Sequence, residues 1–274
     1  MRRIVLTLTM LAALGAAGCN KNTNQPQAKG PIDSVSGTVA LRTPSDLSQQ
    51  AKLDIKLVDV SEQRTSPLAS KEVAPVGQLP LQFTLKFDPK EINPSSLYVI
   101  KAEIVDGERH YTMPLQAPVL TKGAPATVSI TLVAEQTPAE KMFAAFNKEK
   151  AQIGGMKITS GKSLGDTESR GWQVFSKDRQ VQFIRELVSY DKGGFTSTDY
   201  AYKDGKPWVV VEQKMADQNA KPSAINRAGW SDDGSLVLKE HVAGGKTEAL
   251  SEGDAKALRK QAEEIFAKAA KKSK

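Results

Sequence analysis

Apolar residues recur at every second position over long stretches between Val35 and Val133. Val35, Gly37, Val39 and Leu41 alternate with polar neighbours, as do Leu53, Ile55 and Leu57, then Phe83, Leu85 and Phe87. Tyr98, Ile100, Ala102 and Ile104 continue the pattern, followed by Tyr111 and Met113 and by Val128, Ile130 and Leu132. Such alternation turns one side of each segment to a core and the other to water, the mark of half-buried strands. Thr43-Pro44-Ser45, Ser66-Pro67, Asp88-Pro89, Asn93-Pro94-Ser95, Asp106-Gly107 and Lys122-Gly123 supply turns between them. No helical period interrupts the stretch. The spacing predicts an antiparallel, immunoglobulin-like β-sandwich of about seven strands over residues 33–134.

The pattern changes at Thr137. Thr137-Pro138-Ala139-Glu140 has the N-cap, N1 proline and N3 glutamate of a capping box, and Met142, Phe143, Ala145 and Phe146 give the following helix an apolar face up to Gly154-Gly155. Val174, 181–187, 195–202, 208–211 and 236–242 then read as strands, joined at Asp191-Lys192-Gly193-Gly194, Asp204-Gly205 and Asp232-Asp233-Gly234. Ser251 opens a last helix in which Ala255, Leu258, Ala262, Ile265, Phe266 and Ala269 recur at helical spacing. The expectation for residues 137–274 is an α+β antiparallel meander with flanking helices, so the whole chain reads as mainly β in two domains.

Before the sandwich lie two segments that do not belong to a core. Arg2 and Arg3, the apolar run Ile4–Leu14 and the small residues Gly15 to Gly18 make residues 1–18 a signal peptide, too short to span a bilayer, which takes ~20 apolar residues. Cys19 directly after Ala17-Gly18 resembles the cysteine of a bacterial lipobox, with Ala16 where leucine is usual. That resemblance implies that Cys19 becomes the lipidated, palmitate-bearing first residue of the mature protein. Asn20 in place of the aspartate of an inner-membrane retention signal directs the expectation to the outer membrane, periplasmic side. Residues 19–32, rich in Asn, Lys, Thr, Gln, Pro and Gly, form a flexible tether.

Composition narrows the chemistry. Cys19 is the only cysteine and there are two histidines among 274 residues, so neither a disulfide framework nor a Cys/His metal site is expected, and no cofactor. The formal charge of +7 falls to about +5 without Arg2 and Arg3, moderate for this length and no argument for nucleic acid. Lys268, Lys271, Lys272 and Lys274 cluster where cations suit a helix C-terminus.

The ordered runs Ser36-Gly37-Thr38-Val39, Leu53-x-Ile55-x-Leu57-x-Asp59-Val60-Ser61, Leu79-Pro80-Leu81-x-Phe83-x-Leu85-x-Phe87-Asp88, Ile92-x-Pro94, Leu97-Tyr98-x-Ile100-x-Ala102-x-Ile104 and Val119-Leu120-Thr121-x-Gly123 resemble the YbaY-type lipoproteins, the family that also holds YscW-like pilotins of type III secretion. The resemblance implies a β-sandwich on a lipid anchor and, by analogy with pilotins, an envelope partner such as a secretin. It does not extend to residues 137–274.

Other constellations point to little chemistry. Gly161-Lys162-Ser163 has the tail of a phosphate loop, but five residues separate Gly155 from Gly161 where the loop needs four, so no nucleotide is expected. His110 and His241 sit in strand patterns with no Gly-x-Ser-x-Gly elbow, and Asp232-Asp233 suits a turn better than acid–base work. Trp172, Trp208 and Trp230, with Tyr190, Tyr200, Tyr202, Phe175, Phe183 and Phe195, concentrate the aromatics in the second half as core or as a groove. The expected function is a non-enzymatic, lipid-anchored binding or assembly module that recognises another envelope component through a strand edge or sandwich face. The alternative is a carrier holding a lipid or acyl chain in a cavity between meander and terminal helix. Cys19→Ser is expected to abolish metabolic fatty-acid labelling and to move the protein from the detergent to the aqueous phase on partitioning; labelling that persists would remove the anchor from the reading.

Overall fold

The computed structural model describes residues 31–61 and 66–271. The signal peptide of residues 1–18, Cys19, the tether up to residue 30, Lys272 and Lys274 lie outside the described residues, as does the side chain of Lys271.

 Residues 34–134 form eight strands.

These strands are β1 (Ser34–Leu41), β2 (Lys52–Asp59), β3 (Ala69–Val73), β4 (Leu81–Lys86), β5 (Tyr98–Asp106), β6 (Arg109–Thr112), β7 (Ala117–Val119) and β8 (Thr127–Ala134). They pair in the order β3-β2-β5-β6-β8-β1-β4, with β7 on β5 beside β6. The alternating residues face inward as the period-two pattern requires: Val35, Val39, Leu53, Ile55, Leu57, Phe83, Leu85, Ile100, Ile104, Ile130 and Leu132 are all buried in one cluster. The first half is mainly β as expected, with eight strands where the spacing predicts about seven; the additional β3 and β7 carry no apolar alternation, and β3 is an edge strand whose three middle residues are exposed. The pairing is also mixed, since β1 lies parallel to β8 while the other pairs are antiparallel. The first and last strands run the same way, so closing the structure between them produces a parallel ladder that no hairpin could make.

Close backbone approach at β1 is permitted by Gly37, which stands between Phe83 of β4 and Val128 of β8. A Cβ there would lie 2.1 Å from the Val128 carbonyl oxygen.

The second sheet is an antiparallel meander of eight strands in sequence order: β9 (Lys157–Leu164), β10 (Glu168–Lys177), β11 (Gln180–Tyr190), β12 (Phe195–Lys203), β13 (Lys206–Met215), β14 (Ala224–Trp230), β15 (Leu236–Ala243) and β16 (Lys246–Ala249). Helix α1 (Pro138–Lys150) covers one face and α2 (Glu252–Lys271) the other. Phe146 of α1 packs with Phe175, Phe183, Ala201, Val209 and Leu238. Ala255, Leu258, Ala262, Ile265 and Ala269 of α2 pack with Trp172, Ile184, Tyr200, Val210 and Trp230. Helix α1 stops at Lys150, before the expected Gly154-Gly155, which lie in a short 3-10 turn.

Between β8 and α1 the chain has only Glu135, Gln136 and Thr137 outside an element. Thr137 and Glu140 make the capping box: Glu140 N–H donates to Thr137 Oγ1 at 3.2 Å and Thr137 N–H to Glu140 Oε2 at 3.0 Å. Arg109, at the start of β6, grips the same carboxylate with both terminal nitrogens, at 2.7 and 2.5 Å, and donates to the Glu135 carbonyl at 2.8 Å.

Two outcomes follow from this geometry. Gly37→Ala is expected to destabilise the first sheet by about 1–3 kcal/mol through overpacking, read as a lower urea midpoint. The Arg109 hydrogen bonds hold the Glu140 carboxyl below its ordinary 4.5 against a smaller opposing effect of burial. A carboxylate depressed in this way stabilises the fold above the ordinary carboxylate range and loses that contribution as pH falls through its folded value. Arg109→Ala is therefore expected to cost about 0.5–1 kcal/mol at neutral pH, because both partners are partly exposed and screened, with the difference from the unmodified chain shrinking in acid.

Candidate binding surfaces

Strand β5 is paired on one flank by β2 along its whole length, but its other flank is shared. Residues 103–106 pair with β6 and residues 98–100 with β7, leaving Lys101 and Ala102 between the two. There the Ala102 N–H donates to Met113 Sδ at 3.1 Å in place of a strand carbonyl. A thioether is a weak acceptor, so the interruption leaves β5 with an under-used backbone donor. The segment Met113-Pro114-Leu115-Gln116 crosses this gap because Pro114 cannot donate to a ladder. It walls a cleft of about 410 Å³ over Val99, with Lys56 and Lys101 among its polar residues. Leu115 stands 79% exposed at its rim. An aliphatic side chain projecting into water beside a broken strand edge is suited to an extended or amphipathic segment of another protein.

The second sheet holds its polar groups differently. Glu186 is 1% exposed, and its carboxylate accepts from Arg170 Nη1 at 3.1 Å and from Tyr200 Oη at 2.8 Å. Arg170 Nε also donates to Glu168 Oε1 at 2.6 Å. Burial, and next the Glu186 charge, drive the Tyr200 hydroxyl far above its ordinary pKa, so it remains a donor. On the other face, buried Asp199 is paired with Arg185 at 2.8 Å and with Lys150 of α1 at 2.7 Å. Glu186, Thr198, Glu212, Asn226 and His241 stand opposite one another in register across β11 to β15. Asn226 Nδ2 donates to Glu212 Oε2 at 2.9 Å, and the Asn226 Oδ1 accepts from His241 Nδ1 at 2.6 Å. Glu212, Asn226 and His241 thus form a continuous structural network, while Thr198 Oγ1 in the same row is buried without a hydrogen-bond partner.

The candidates raised by the sequence fall into place as follows. Gly161, Lys162 and Ser163 lie in strand β9, where Gly161 backs onto the Trp172 indole, so they form no phosphate-cradling loop. His110 pairs with Glu103 at 2.6 Å on an exposed strand face, far in sequence and in sheet from His241. Asp233 accepts from Ser231 Oγ and Ser235 N–H within its turn, and Asp232 pairs with Lys203. Trp172, Tyr200, Tyr202 and Trp230 pack under α2, while Phe175, Phe183 and Trp208 belong to the α1 layer. For the carrier alternative, these side chains occupy the interior between meander and α2 among the described residues, and an open cleft of about 860 Å³ lies beside Phe266 of α2 along the β10–β11 and β12–β13 turns. Cys19 lies outside the described residues. The Arg170–Glu186 and Asp199 pairs were not anticipated, because they depend on cross-strand register; the charged residues within otherwise apolar strands were the one available signal.

Among known proteins, residues 30–132 match the family model described as type III secretion system lipoprotein chaperone, YscW. The match covers the first sheet up to residue 132, including the β5 flank shared by β6 and β7, and contains all the runs on which the resemblance rests. A solved structure described as an alternative pilotin from the type II secretion system of Vibrio cholerae is 29% identical, with 38% of this chain and 97% of that chain covered and a TM-score of 0.35. No curated protein matches the chain. Among the described residues no helix is long and apolar enough to cross a membrane.

Arg170→Met, which leaves Glu186 buried without its guanidinium, is expected to destabilise the second sheet by about 3–5 kcal/mol, followed by urea unfolding with tryptophan fluorescence. Combining it with Glu186→Met should recover part of that loss; a double variant no better than the single one would mean that the pair is not the buried charge's main compensation.

Proposed function

From the family match over residues 30–132, we propose that this chain is a lipid-anchored assembly factor of the pilotin type, which accompanies or stabilises a secretin in the envelope. In this reading residues 1–18 are removed, Cys19 carries the lipid, and residues 19–32 give the folded part its reach from the periplasmic side of the outer membrane. Residues 33–134 act as the recognition domain and residues 137–274 as a second domain held to it through Arg109 and Glu140. The role is binding rather than catalysis.

The observation that carries the proposal is the coincidence of the family match with the cleft beside β5, where Leu115 is exposed and the backbone donor of Ala102 has only a thioether. A secretin segment entering this cleft would cover the leucine and exchange the weak sulfur contact for a backbone carbonyl. Apolar contact supplies affinity and the strand edge supplies direction. Anchoring adds to this by confining both partners to one membrane, which raises their effective concentration without a new contact.

The test is a photo-crosslinking amino acid at position 115 of the lipidated protein in cells that assemble a secretin. A single cross-linked secretin is expected, and Leu115→Asp should reduce its recovery about tenfold, the effect of losing ~1.4 kcal/mol of contact. Because position 115 is exposed, the substitution is expected to leave stability within about 0.5 kcal/mol. Cross-links to no secretin, or recovery unchanged by Leu115→Asp, would reject the cleft as the docking site.

A further inference from the structure

At one end of the second sheet, the hairpins β10–β11, β12–β13 and β14–β15 each carry a β-bulge. Phe175 is opposite Phe183 while Ser176 is opposite Val181, so Gln182 is an extra residue. Ala201 is opposite Val209 and Tyr202 opposite Pro207, which makes Trp208 extra. Gly229 is opposite Leu238 and Trp230 opposite Leu236, with Val237 left over. A bulge re-aims side chains and bends its strand, and alternate hairpins of a meander turn at the same end. The three irregularities therefore act together at a single rim.

What they surround is a cleft of about 450 Å³, within the range of small-ligand sites, whose lining includes Gln182, Tyr202, Trp208, Trp230 and, from α1, Met142 and Glu149. Glu149 Oε1 is shielded from solvent and has no hydrogen-bond partner. Burial raises the pKa of this carboxyl above its ordinary 4.5. The other charges on the cleft do not relieve it. Lys203 is held by both oxygens of Asp232 at 3.1 Å, and Lys150, next to Glu149 in sequence, is paired with Asp199 at 2.7 Å. A carboxylate oxygen without a donor, beside two indoles, calls for a cation that brings its own hydrogen-bond donors. The Trp230 ring already attracts one such group, since the Arg259 guanidinium carbon lies 5.4 Å from its centroid.

We propose that this bulge-lined cleft binds an organic cation, an ammonium or guanidinium on an apolar stem, with the head on Glu149 and the stem between Trp208, Trp230 and Met142. The site lies outside residues 30–132 and is independent of the cleft beside β5. Either a free amine or a basic side chain of a protein satisfies this chemistry.

The test titrates the full lipidated chain in non-ionic detergent, by calorimetry and tryptophan fluorescence, with agmatine, n-butylammonium, N-acetylarginine methylamide and n-butanol. The cations are expected to bind and to perturb the fluorescence, and butanol to do neither. Glu149→Gln should weaken agmatine about tenfold or more, equivalent to ~1.4 kcal/mol, with unchanged circular dichroism. Lys203→Ala, which frees Asp232, should tighten it. Preference for N-acetylarginine methylamide assigns the site to a protein side chain, and its exclusion with agmatine retained assigns it to free amines. Equal response to butanol, affinity unaffected by Glu149→Gln, or no binding by any cation would overturn the proposal.

Discussion

One carboxylate, that of Glu140, sets how this chain passes from its first sheet to its second. It closes the capping box that starts α1 and at the same time accepts both terminal nitrogens of Arg109 from β6. The first turn of a helix offers unpaired N–H groups and a favourable field for an anion, and the guanidinium supplies a bidentate partner. The starts of α1 and β6 are thereby fixed to the same point, with three residues between β8 and α1. The direction in which α1 leaves that point carries Phe146 onto Phe183 and brings Lys150 to Asp199. The α1 layer of the second sheet is built on this start.

The second sheet is covered on both faces, and that explains where its polar groups are. A sheet with one wet face can leave charged residues in water, whereas here Glu186 and Asp199 are enclosed and each has basic partners drawn from a neighbouring strand or from α1. Enclosed charges are tolerable only when paired and hydrogen-bonded. The same double cover divides the aromatic residues into two packed layers. Irregularity is confined to the hairpin end, where three bulges interrupt the ladders and open the rim lined by Trp208 and Trp230.

The first sheet is built differently. Its core is continuous and apolar, and its irregular feature is the division of one flank of β5 between β6 and β7. Residues 30–132 match a family of secretion lipoprotein chaperones, and on this flank a weakly used backbone donor and an exposed apolar side chain lie together. The chain thus carries two surfaces of unlike chemistry, a strand-flanked apolar cleft and a carboxylate set among indoles. They lie in different sheets, so each can be altered without disturbing the other.

The sequence by itself determined the mainly β character, the inward-facing residues from Val35 to Leu132, the capping box at Thr137 and the apolar stripe of α2. Each rests on local periodicity or on hydrogen bonds between near neighbours, which a linear pattern records. Strands β3, β9 and β16 escaped because they are edge strands and largely exposed, and β14 escaped although central, because Asn226, Arg227 and Gly229 interrupt its apolar run. Only the tertiary structure decided that β1 runs parallel to β8, that Arg170 meets Glu186, and that Gln182, Trp208 and Trp230 share a rim with Glu149. These depend on register and on which distant elements close against each other. A one-residue shift in pairing reverses the face a side chain occupies, and nothing within either strand alone fixes that choice.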